Sequence, residues 1–170
     1  MKTRLIKSVL TLIMSFSFLA SFSQATATAT ATATIIVPIS IVKNADLNFG
    51  NIAVQSATGG TVVLAPAGTR SSTSGVTLPS TSGAVTAADF TVSGSGSSTY
   101  AITLPSTVTL THSAGSQTMT ATSFTSNPSS TGALTGGTQN IAVGATLNVA
   151  AGQLAGVYTS GNFNVTVNYN

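Results

Sequence analysis

The closing stretch Gly161-Asn162-Phe163-Asn164-Val165-Thr166-Val167-Asn168-Tyr169-Asn170 alternates large apolar residues with amides and hydroxyls without a break. Successive side chains leave a pleated strand on opposite sides, so a period of two marks a strand with one buried face. Phe163, Val165, Val167 and Tyr169 would face a core, and the residues between them would face water. The same reading holds for Tyr100, Ile102 and Leu104 set against Thr99, Ala101 and Thr103, and for Val108 and Leu110 set against Thr107, Thr109 and Thr111. Past residue 25, apolar residues at the helical spacing i, i+3, i+4, i+7 do not recur.

Turn-forming clusters separate these segments: Thr58-Gly59-Gly60, residues 66–75, Gly94-Ser95-Gly96 and residues 127–137. Gly, Asn and Ser supply the positive-φ positions and local hydrogen bonds that tight turns need. Residues 88–92 and 99–104, joined by 93–98, read as a hairpin. Around Met119 to Phe124 the alternation slips by one residue, which a bulge or a strand end would explain. About nine or ten short strands counted this way predict an all-β two-sheet sandwich.

Residues 1–25 read as a helical secretory signal peptide. Lys2, Arg4 and Lys7 form its basic end, an apolar stretch follows from Val9 to Phe22, and Ser23-Gln24-Ala25 offers a cleavage site. The exported remainder would be extracytoplasmic, at a bacterial cell surface or in the periplasm. Past the leader no apolar run approaches the length of about 20 residues that a spanning helix requires. Residues 26–34 form a low-complexity Ala/Thr arm, and residues 35–170 form one β-sandwich domain. The arm runs in register into Ile35, Val37, Ile39 and Ile41, which would make a first strand or one donated to a neighbour. Pro38 has no N–H to give to a ladder, so this segment is an edge strand or two strands split at the proline.

Charge excludes several functions. Charged residues are 4% of the chain, against roughly 25% in an ordinary domain. Beyond the leader, Lys43 and Arg70 balance Asp46 and Asp89, so no basic patch exists for nucleic acid. There is no Cys, hence no disulfide and no thiolate metal site. His112, beside Ser113, could join Asp46 or Asp89 in a Ser-His-Asp set on paper. No G-x-S-x-G elbow accompanies it, and a strand-end structural histidine is the simpler reading. No catalytic, cofactor-binding or metal residue is expected, and the chain reads as a non-enzyme. A threonine ladder of the sort that orders water is legible only in the arm, where one flexible row does not make a rigid array.

Several short motifs occur in order: Leu47-Asn48-Phe49-Gly50-Asn51-Ile52, Gly60-Thr61-Val62-Val63, Asp89-Phe90-Thr91-Val92-Ser93-Gly94, Val143-Gly144-Ala145-Thr146-Leu147 and the closing segment from Gly156 to Tyr169. Together they resemble domain-of-unknown-function family 4402, secreted all-β proteins common in Gram-negative bacteria, over residues 36–170. More distantly, the closing glycine, alternating strand and penultimate Tyr169 resemble the C-terminal motif of chaperone–usher pilins and spore-coat-U-like domains. That likeness implies an immunoglobulin-like, pilin-like fold completed by a neighbour's arm, with self-association or a pilin-type chaperone as partner. It places assembly on Ile35, Val37, Ile39, Ile41, Phe163, Val165, Val167 and Tyr169. Gly50, Gly156 and Gly161 would be turn or close-approach positions. The competing reading is a stand-alone adhesion module, for example one that binds glycan through its hydroxyl- and amide-rich exterior.

Overall fold

The computed structural model describes residues 24–170, so the leader lies outside the described residues except for its last two positions. Residues Ile36–Asn170 form one compact unit. Residues 24–39 carry no regular secondary structure. The unit is all-β: β1 (Ser40–Ala45), β2 (Ala53–Val54), β3 (Gly60–Leu64), β4 (Arg70–Ser74), β5 (Val76–Thr77), β6 (Ala88–Ser93) and β7 (Thr99–Thr103) come first. β8 (Thr107–His112), β9 (Thr118–Asn127), β10 (Thr131–Ala133), β11 (Thr138–Val149), β12 (Tyr158–Ser160) and β13 (Thr166–Tyr169) follow. These 13 strands exceed the expected count because β2, β5, β10 and β12 are two or three residues long, too short to display alternation.

The largest sheet has eight strands in the order β1-β6-β11-β9-β8-β12, with β3 and β4 added alongside β11. β11 is its spine. Thr138–Val143 pairs with β6, Ala145–Val149 pairs with β3, and β9 runs along the opposite side. A second sheet, β10-β7-β13, and a two-stranded one, β2-β5, complete the unit. All pairings are antiparallel.

Two apolar clusters fill the interior. In one, Phe90, Val92, Ile141 and Val143 of the large sheet meet Tyr100 and Val167 of the three-stranded sheet. In the other, Val62, Leu64, Ala121, Leu147 and Val149 are closed by Phe49 and Val76, with Ile52, Val54 and Leu78 packed against them. Phe124 packs against both clusters. The parity slip at this residue is a bulge: Ser123 and Phe124 of β9 together oppose the single residue Ala145. Ser123, at φ 49°, supplies the turn of backbone that brings Phe124 inward.

The expected hairpin of residues 88–92 and 99–104 does not form. β6 pairs with β1 and β11, whereas β7 pairs with β10 and β13. Val92 and Tyr100 are both fully buried in the same cluster, so the two strands face each other across the core. The glycine-rich link between them is therefore an arch that carries the chain from one sheet to the other. Its bend is held by Ser98 N–H donating to the Ser95 carbonyl at 3.1 Å and Gly94 N–H donating to the Gly137 carbonyl at 2.9 Å.

Candidate functional site

Each sheet ends in a strand with one unpaired side, and two of these strands border the same core. β1 is an edge of the large sheet and bonds only to β6; β13 is an edge of the small sheet and bonds only to β7. An edge strand presents a row of N–H and C=O groups ready to pair. Ile39 and Ile41 on the β1 side, and Phe163, Val165 and Tyr169 on the β13 side, are half-buried against the cluster that contains Val167. The expected inward face of the closing segment is thus observed along its length, although the ladder itself covers only Thr166–Tyr169. Residues 161–165 cross from the β12 ladder to the β13 ladder without strand pairing of their own.

Ile35 and Val37 lie elsewhere. Ile35 is 97% exposed and Val37 61% exposed, and the ladder of β1 starts only at Ser40. No strand forms through Ile35 and Val37, neither continuous with Ile39 and Ile41 nor separate from them: Pro38 cannot donate to a ladder, and pairing begins only beyond it. Ile41 lies within β1, opposite Val92 of the chain's own β6.

The link between the two edges is Tyr169. Its hydroxyl accepts the Ser95 N–H at 2.6 Å and donates to the Val37 carbonyl at 2.8 Å. Both partners are backbone groups, which have no sequence signal, so the link was not foreseeable from residue types. Tyr100, on the strand next to β13, is fully buried, and its hydroxyl donates to Gln139 Oε1 at 2.7 Å. Burial pushes this hydroxyl above its ordinary pKa of 10.0. Gly132 lies against the Tyr100 ring so closely that a Cβ there would overlap it.

Beside the unpaired residues 161–165 is an open cleft of about 490 Å³. Phe163, Leu104, Pro105 and Val108 form its apolar lining, and Asn162, Asn164 and four threonines its polar one.

The residues weighed for catalysis are engaged separately. His112 Nδ1 accepts the Ala114 N–H at 3.1 Å and Nε2 lies 3.2 Å from the Ala155 carbonyl, an arrangement that suits the neutral Nε2–H tautomer. Its ring meets Tyr158 edge-on, with centroids 4.9 Å apart. Asp46 pairs with Lys43 at 2.6 Å, and Asp89 accepts from Asn44 at 2.8 Å. Gly156, at φ 153°, abuts the His112 ring, and Gly50 has φ 69° in its turn; a side chain at Gly161 would meet nothing. Among the described residues no three His, Asp, Glu or Cys side chains cluster as a metal site, and no helix is long and apolar enough to cross a membrane.

A family model described as Domain of unknown function (DUF4402) matches residues 39–169, which spans the first strand to the penultimate residue. No curated protein matches the chain.

Proposed function

From the premise that this chain belongs to the DUF4402 family, we propose that it is an exported, non-catalytic structural subunit of a bacterial cell surface that associates through β-strand addition. The observation that carries this reading is the pair of edge strands β1 and β13, which flank one core cluster whose marginal residues remain half-exposed. Ahead of them the chain offers Ile35, Ile36 and Val37, all exposed, after an alternating Ala/Thr stretch. Added strands use main-chain hydrogen bonds for affinity and alternate side chains for register. Near-zero charge outside the leader leaves little repulsion between copies. Separating the purified chain on a gel with and without boiling tests the reading: a ladder of multiples that collapses on boiling is expected, and a single monomer band under both conditions would contradict it.

A second reading rests on the cleft beside Phe163. One aromatic ring with two amides and several hydroxyls suits a neutral sugar, and would make the chain a glycan-binding module. Binding to a glycan array that Phe163→Ala abolishes would favour it; an array without hits would remove it.

A further inference from the structure

β12 is the outermost strand of the large sheet, three residues long, and it pairs only with Leu110–His112 of β8. So short a ladder depends on what fastens its ends. Two loops meet there: the turn of residues 113–117 that joins β8 to β9, and the segment of residues 150–157 that leads into β12. Ser113 N–H donates to the Val157 carbonyl at 2.9 Å, Leu154 N–H to Gln117 Oε1 at 2.8 Å, and Gln153 Nε2 to the Thr118 carbonyl at 2.7 Å. The Tyr158 hydroxyl donates to the Leu154 carbonyl at 3.0 Å.

His112 stands between these loops and is 9% exposed. Nδ1 accepts the Ala114 N–H of the turn, and Nε2 faces the Ala155 carbonyl of the segment. Gly156 lies so close to Nε2 that a Cβ there would overlap it. One ring nitrogen accepts while the other donates, which only the neutral imidazole can do. A proton taken from solvent onto Nδ1 would point at the Ala114 N–H, donor against donor. It would also bury a positive charge with no counter-charge, which is costly. Among the described residues no carboxylate lies within ion-pair distance of either ring nitrogen. Neither loop contains an ionisable side chain, nor do Thr118 and Met119 that follow the turn. Tyr158 is the titratable group in contact with the ring, and a phenol carries no charge in acid. The charged side chains are engaged on other strands: Lys43 with Asp46, Asp89 with Asn44, and Arg70 with the Phe49 and Asn51 carbonyls.

We propose that His112 is an acid-sensitive latch on β12: protonation at Nδ1 frees both loops, and the edge strand leaves β8. The latched form has no place for a second ring proton and the released form has one. Release therefore takes up a proton and is favoured as pH falls from about 8 to about 5, the range in which histidine changes charge. It bares the backbone of Leu110–His112 and lengthens the free edge of the large sheet. That such an edge recruits a further strand rests on the reading proposed above; the latch itself does not.

The test follows the ring and the loops on the same samples. His112 is the chain's one histidine, so its imidazole NMR signals are unambiguous. Amide hydrogen exchange, corrected for its intrinsic pH dependence, is read at Ser113, Ala114 and Thr159 at about pH 8 and about pH 5. The ring should protonate across this range, and protection at the three amides should fall several-fold with the same midpoint while β6 and β11 stay protected. In His112→Asn, Oδ1 can take the Ala114 N–H in place of Nδ1 and does not titrate. Protection in this variant should be the same at both pH values. If its loops are open at both, the coincidence of ring and amide midpoints in wild type decides. A ring that protonates while the amides keep their protection, a ring still neutral at the acid end, or equal acid loosening in His112→Asn would overturn the proposal.

Discussion

The Tyr169 hydroxyl donates to the Val37 carbonyl at 2.8 Å and accepts the Ser95 N–H at 2.6 Å. The last strand is thereby tied both to the segment that leads into the first strand and to the arch between the two sheets. Phenylalanine at 169 keeps the ring and removes both bonds. Tyr169→Phe is expected to lower stability by about 1–3 kcal/mol, the net worth of two hydrogen bonds of this kind. Urea denaturation measures the loss, and faster hydrogen exchange at the Ser95 amide would locate it.

Gly132 tests how closely β10 packs on Tyr100. A Cβ at this position meets the ring and hydroxyl of Tyr100 and the Gln139 side chain. Gly132→Ala is expected to cost about 1–3 kcal/mol through overpacking. Thermal melting checks it, and a variant as stable as wild type would show that β10 gives way freely.

Tyr100 also sets an alkaline limit. Its hydroxyl is held above the ordinary value of 10.0 because burial disfavours the phenolate. The folded state therefore keeps a proton that the unfolded state releases. Stability from this group is intact below pH 10 and declines as pH rises beyond it. Melting temperature measured through this range should fall more steeply for wild type than for Tyr100→Phe. Equal slopes would mean that the Tyr100 hydroxyl does not set the alkaline limit.

His112 is held by two backbone partners and by the Tyr158 ring. His112→Ala is expected to destabilise the chain by about 1–3 kcal/mol, in the range common for loss of a packed and bonded side chain. Gly156→Ala should act in the same direction, because its Cβ would collide with the imidazole. Denaturant titration of both variants is the check. A hydrolytic activity lost in His112→Ala without loss of stability would instead argue for chemistry at this residue.

The sequence made individual strands legible because alternation is a local property. Phe163, Val165, Val167 and Tyr169 turn inward as their spacing requires, and the slip at Phe124 is a bulge. Pairing was less legible, because partners are chosen across the core. Val92 and Tyr100 read as two sides of one hairpin, yet they meet face to face from different sheets. Ile35 and Val37 continue the alternation of Ile39 and Ile41, yet pairing starts only beyond Pro38, because alternation marks a face and not a partner. Neighbours across the large sheet were invisible for a related reason. Thr61, Thr120 and Asn148 become neighbours only through register between strands far apart in sequence.

The central claim is that copies associate through the exposed segment ahead of β1. Its most direct test is the solution mass of the chain with and without residues 26–36, over a range of concentrations. The truncation retains Val37, and so keeps the carbonyl that Tyr169 bonds. The full chain should form multimers with rising concentration, the truncated chain should stay monomeric and folded, and a synthetic peptide of residues 26–42 should raise its melting temperature. A full chain that remains monomeric throughout, or a truncated chain that assembles equally well, would contradict the account.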